Sequence, residues 1–142
     1  LDKWFGNADR LHIDSWVEIN YVDGYKVSLL SKKNISKNKL FFINLGGYDE
    51  NKFEELHESE FLVGDKKIEI KKRAKETLMK GLDQVHTDDL YDVDDCIEIN
   101  KVSDYFINLK KEKNKSKSLK FNNGYHPIPK KIIEKYKSLI NN

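Results

Sequence analysis

Apolar and polar residues alternate along two passages of this chain, and the passages match each other. In WVEINY the apolar side chains fall at Val17, Ile19 and Tyr21, and in YKVSLL at Tyr25, Val27 and Leu29. A period of two reads as a half-buried strand. Asp23-Gly24 between the two runs predicts a tight hairpin. The pattern then returns. Ile97-Glu98-Ile99-Asn100 repeats Val17-Glu18-Ile19-Asn20, and Val102, Tyr105, Ile107 and Leu109 repeat Val22, Tyr25, Val27 and Leu29. His86-x-Asp88 repeats His12-x-Asp14.

The alternation also predicts a register. A two-residue loop would pair Val22 with Tyr25 and send Val17 and Ile19 to the opposite face from Val27 and Leu29. A three-residue loop, Val22-Asp23-Gly24, pairs Tyr21 with Tyr25 and Ile19 with Val27, and puts every apolar residue on one face. Gly24 would then take the left-handed conformation, and Asp104 the same place in the second copy. The three-residue loop is the expectation; a bulged continuous strand is the alternative.

The other elements follow from the same reading. Leu1 to Gly6 resembles the last turn of a helix, with Gly6 as its stop. Asn7 to Ser15 is loop, and Ser31 to Asn38 is a polar linker. KLFFINL, Lys39 to Leu45, is the most apolar run and predicts a central strand, broken by Gly46-Gly47. Glu55 to Val63 is its return. A helix over Lys66 to Lys80 has Asp65 as N-cap, an apolar stripe of Ile70, Ala74 and Leu78, and Gly81 as its stop. Pro127 and Pro129 keep Gly124 to Pro129 extended. Lys130 to Leu139 predicts a short helix with Ile132, Ile133, Tyr136 and Leu139 on one face.

The expected fold is therefore α+β. It comprises two pseudo-repeated β-β-α-β-β units, antiparallel hairpins in a sheet with helices on one face, and a short C-terminal helix. Residues 1–33 would be the end of the first copy, 39–113 a complete second copy, and 114–142 linker and helix. By this analogy two strands and most of a helix would precede Leu1, leaving a gap that another segment must cover or an open edge.

Composition narrows the function classes. Net charge is +2, so there is no general pull towards nucleic acid or anionic membrane. The charge is uneven: six Asp and no Lys or Arg from Asp83 to Asp95, and six Lys against one Glu from Lys110 to Lys120. A single cysteine, Cys96, excludes an internal disulfide framework and fits a reducing, cytoplasmic compartment. No apolar run approaches the roughly 20 residues of a membrane helix.

The runs LFFINLGGYDENKFEELHE, HTDDLYDVDDC and HIDSWVEINYVDGY resemble the bacterial proteins grouped as domain-of-unknown-function family 1543. The resemblance extends from Trp4 to Leu109. It implies one or two copies of a short α+β domain, here without the first half of copy one. It implies no activity and carries over no catalytic residue.

Candidate chemistry centres on His12, Asp14, His57, Glu58, His86, Asp88 and Asp89. Imidazole and carboxylate together suit zinc, manganese or non-haem iron, and the aspartates alone suit calcium or magnesium. The spacing matches no established metal motif, and local capping by Asp14, Asp88 and Asp89 explains the same residues structurally. No cofactor signature is complete; a divalent metal is the cofactor this set would take. Gly46-Gly47-Tyr48 lacks the longer phosphate-loop patterns and reads as a turn. Cys96 reads as a buried thiol. The lysine run has only Phe121 and Tyr125 nearby for base stacking and reads as a solvated linker. Trp4, Phe5, Trp16, Tyr21 and Tyr25 read as core and sheet-face residues.

The leading expectation is a non-enzymatic cytoplasmic binding or protein-interaction module. It would use an open sheet edge, for a partner or for self-association, or the cleft between repeats. The alternatives are a small metal- or ligand-binding protein built on the paired His-x-Asp loops, and a weak nucleic-acid binder through the lysine-rich tail.

Overall fold

The most apolar run of the chain, beginning at Lys39, lies at the centre of its core. A computed structural model describes residues 10–33, 36–78, 95–112 and 119–140. Its element order is β1 (His12–Glu18), β2 (Tyr21–Val22), β3 (Tyr25–Leu30), β4 (Lys39–Tyr48), β5 (Glu55–Gly64), α1 (Lys67–Thr77), β6 (Asp95–Ile99), β7 (Lys101–Val102), β8 (Tyr105–Lys111), β9 (Lys120–Pro127) and α2 (Lys130–Ile140). The class is α+β with antiparallel sheets. No helix among the described residues is long and apolar enough to cross a membrane.

The chain divides into two units. One comprises Asn20–Ser118 and the other Leu1–Ile19 with Leu119–Asn142. In the first, β4 is the middle strand of a sheet ordered β5-β4-β6. Its odd-numbered side chains Phe41, Ile43 and Leu45 are 1% exposed or less. They form one cluster with Leu62 of β5, Cys96 of β6, and Ile70, Ala74 and Leu78 along α1. The period-four stripe of the helix thus meets the period-two face of the strand. Burying each large side chain of this kind stabilises the fold by about 1.5–3 kcal/mol.

Two expectations about this sheet are corrected. Gly46-Gly47 does not end the strand: Gly46 pairs with His57 and Gly47 with Leu56, and the ladder runs on to Tyr48. Both glycines are buried, and cross-strand bonds to β5 replace the packing that a side chain would give. Asp65 is not the helix cap. That place falls to Lys66, which makes no side-chain capping bond, while Asp65 lies 3.7 Å from Lys37 Nζ. The expected stop at Gly81 lies outside the described residues.

The second sheet of this unit is ordered β2-β3-β8-β7. Here the expected hairpin register is overturned. Val22 pairs with Tyr25 and Tyr21 with Lys26. Asp23 has φ 51° and Gly24 φ 75°, the two left-handed residues of a two-residue type I′ turn. The sequence argument assumed one unbroken strand from Trp16 to Tyr21, with Val22 in the loop. In fact the strand breaks at Ile19-Asn20, so Val17 and Val22 serve different sheets and need not share a face. In the second hairpin Ser103 takes the left-handed conformation, with φ 52°, and not Asp104.

The other unit holds a two-stranded antiparallel sheet, β1-β9, and α2. Here β1 begins at His12, within the stretch expected to be loop, and pairs with β9, which the prolines predicted only as extended. The C-terminal helix forms as expected, yet of its predicted apolar face only Ile133 is buried, at 6% exposure. Ile132, Tyr136 and Leu139 are exposed, and so is Trp16. The expected helical turn at Leu1 to Gly6, with Trp4 and Phe5, lies outside the described residues.

Candidate functional site

The sequence-predicted ligand set is dispersed. On β1, His12 Nε2 lies 3.0 Å from Asp14 Oδ1, and the His12 ring is tilted against Tyr125 of β9 with centroids 4.6 Å apart. A register shift between Ile13 and Ser15 sets Gly124 and Tyr125 of β9 opposite Asp14, so the bulge lies in β9. On β5, His57 Nε2 lies 3.8 Å from Glu55 Oε2. His57 and Glu58 are adjacent on one strand, so they point to opposite faces and cannot close on one ion together. His86, Asp88 and Asp89 lie outside the described residues. Among the described residues no group of three or more His, Cys, Asp or Glu side chains is placed to hold a metal ion. Cys96 is buried, as a core thiol should be.

A different set of residues forms a concavity. The chain crosses from the three-stranded sheet to the four-stranded sheet at Asn100, between β6 and β7. The Asn100 carbonyl accepts a bond from Ile107 N at 3.0 Å, which starts the second ladder just where the first ends. At this crossing a cleft of about 600 Å³ opens. Its apolar lining comes from Leu40 of β4, Ile99 of β6, and Phe106, Ile107 and Leu109 of β8. Its polar lining comes from Lys33, Ser36 and Asn38 of the linker, with Lys39, Glu98 and Asn100.

The polar groups are held in place. Lys39 Nζ donates to Glu98 Oε2 at 2.9 Å, and Asn38 Nδ2 donates to the Tyr25 hydroxyl at 2.8 Å. The hydrogen bond from Lys39 holds the Glu98 carboxyl below its ordinary range; partial burial opposes this and a bond from Asn100 assists it. Glu98 is therefore ionised at neutral pH, and the cleft presents fixed charges around an apolar floor. The volume falls in the range of small-molecule sites, and the cleft is open to solvent along its polar rim.

Sequence reasoning missed this cleft because its residues come from three stretches, Lys33 to Leu40, Glu98 to Asn100 and Phe106 to Leu109, that only the folding of the sheets brings together. The one local signal was Asn100, a polar residue closing the repeated Ile-Glu-Ile-Asn run, where the strand changes sheets.

The chain has no match among curated proteins. Among solved structures it is similar to a protein, Il1583, from Idiomarina loihiensis. The two are 22% identical, over 90% of this chain and 73% of that one, with a TM-score of 0.59; at that identity the likeness is one of fold. Residues 2–29 and 52–109 match the family model described as Domain of Unknown Function (DUF1543). These segments make up more than half of the sequence, and they include both hairpins and the α1 helix. The chain belongs to the DUF1543 family.

Proposed function

We propose that this protein is a non-catalytic binding module whose ligand occupies the cleft at the Asn100 crossing. The observation that carries the reading is the cleft itself, with an apolar floor and a rim of fixed polar groups. Its carboxyl, Glu98, is locked to Lys39 and ionised. A general acid or base would need a pKa nearer the working pH. The lysines and asparagines around an apolar floor favour an amphiphilic ligand with an anionic head. The cleft is lined by β4, β6 and β8 and by the linker that precedes β4.

We also propose that the fold is built from two related copies of one unit. Three observations support this. The strand breaks at Asn20 and at Asn100, and each carbonyl accepts the amide of the matching residue, Val27 or Ile107. The pairing of β3 with β8 is reciprocal, since Val27 faces Leu109 and Leu29 faces Ile107. Both matched family segments end at equivalent residues, Leu29 and Leu109. In this reading β9 stands to β1 as β4 stands to β6. It pairs with β1, with Val17 opposite Phe121, as β4 pairs with β6, with Ile97 opposite Phe42.

Titration with an anilinonaphthalene sulfonate, an anionic amphiphile, tests the cleft. Saturable fluorescence at one site is expected, and it should be lost in Ile107→Trp, which fills the cleft, and weakened in Lys39→Glu. Fluorescence that is absent, or unchanged in Ile107→Trp, overturns the proposal.

A further inference from the structure

The charges that line the cleft at the Asn100 crossing do not balance. Lys33 and Lys39 contribute two ammonium groups and Glu98 one carboxylate, so one positive charge is in excess. Lys39 and Glu98 are joined at 2.9 Å and cancel each other. Among the described residues no carboxylate pairs with Lys33. The Lys39 bond first, and the charge of Lys33 from further away, hold the Glu98 carboxyl low. Lys101 lies over the Phe106 ring, 5.6 Å from its centroid, but Asp104 pairs with it at 3.8 Å, so it adds nothing to the excess.

Apolar and polar groups are separated within the cleft. Leu40 and Ile99 are directly opposed across β4 and β6, and they make the floor with the apolar residues of β8. Successive side chains of a strand turn to opposite faces, so Lys39 and Glu98, each next in sequence to a floor residue, stand at the rim. The linker supplies Lys33 and Ser36. An ammonium and a hydroxyl together suit an anionic group that accepts two hydrogen bonds.

We infer that the ligand is a monocarboxylate with an apolar tail, its head held by Lys33 and its tail laid on the Leu40–Ile99 floor. This rests on the cleft being the ligand site, as proposed above. A single negative charge restores the balance. A phosphate monoester carries about −1.5 to −2 at neutral pH, and its surplus charge would face the Glu98 carboxylate across a medium less screening than water. An alkylammonium would add to the excess. Discrimination thus comes from a repulsive element as well as an attractive one. Lys33 selects the head, and Lys39 is a positioning residue that neutralises and fixes Glu98.

The test displaces the anilinonaphthalene sulfonate from the whole chain with decanoate, decyl phosphate or decylamine, each below its micelle concentration, at about pH 8, where the phosphate is dianionic. Decanoate should displace the dye, and the other two should be roughly tenfold weaker. Lys33→Met should weaken decanoate roughly tenfold. It should do so by more than Lys39→Met combined with Glu98→Gln, which removes one charge of each sign. Glu98→Gln alone raises the excess to two charges and should bring decyl phosphate level with decanoate. Dye that binds, is lost in Ile107→Trp, and is displaced no better by decanoate than by decyl phosphate or decylamine overturns the inference and leaves the cleft reading standing. Decanoate binding unchanged in Lys33→Met does the same. Dye that fails to bind, or is unchanged in Ile107→Trp, overturns both.

Discussion

Asn108 Nδ2 donates to Ser28 Oγ at 3.1 Å, across directly opposed positions of β3 and β8. In the proposed repeat these two residues are equivalent to each other, and their pair marks the centre of the four-stranded sheet. Ser28→Ala should lower stability by about 1 kcal/mol, the usual net contribution of such a bond. Replacing both residues by valine removes donor and acceptor together and should cost less than the two single changes summed. Urea denaturation of the wild type, Ser28→Ala, the two single valine variants and the double valine variant checks this.

Asp23 joins three jobs. It takes a left-handed turn conformation, accepts the Val63 amide, and pairs with Arg73. Asp23→Ala should cost about 2–3 kcal/mol, since it leaves an edge amide unsatisfied and puts alanine at positive φ. Asp23→Asn keeps an acceptor and tolerates that φ, and should cost less. Thermal denaturation of both variants measures the ordering.

Gly64 ends β5 against the first turn of α1. A Cβ there would sit 2.6 Å from Ile70 Cδ1. Gly64→Ala should destabilise by about 1–3 kcal/mol through overpacking. Ile70→Val removes the clashing methyl, so adding it to Gly64→Ala should recover part of the loss. A double-mutant cycle in urea shows whether the two changes couple.

Two carboxyls give opposite pH signatures. Glu98 has a lowered folded pKa, so its contribution is present above the unfolded carboxyl range and fades as pH falls through the folded value. Glu98→Gln should therefore destabilise near neutral pH, and the difference should close in acid. Glu60 has a raised folded pKa, so the folded state holds its proton more tightly and stability falls as pH rises through that window. Glu60→Gln should stabilise near neutral pH and lose its advantage in acid. Denaturant midpoints from acid to neutral pH distinguish the two.

Much of the local structure was legible. The run from Lys39 predicted the central strand, the Ile70, Ala74 and Leu78 stripe predicted the buried face of α1, and buried Cys96 followed from the general burial of free thiols. The candidate site was not legible. His12, Asp14, His57 and Glu58 stood out as chemistry, yet a strand sends His57 and Glu58 to opposite faces, while the cleft joins Lys33 and Lys39 to Glu98 and Phe106 from beyond the α1 helix.

By itself the sequence determined the cores of β3, β4, β5, β8 and both helices, because periodicity and turn residues act over a few neighbours. It also determined the internal likeness of Leu11 to Lys33 and Val85 to Lys113, which needs no coordinates. Only the tertiary structure decided which strands pair. The hairpin register at Asp23-Gly24 turned on the chain changing sheets at Asn20, and the partner of β1 proved to be β9, at the far end of the sequence. Strand pairing joins backbone groups whose bonding capacity is the same in every sequence, so alternation fixes a strand's faces but not its neighbours.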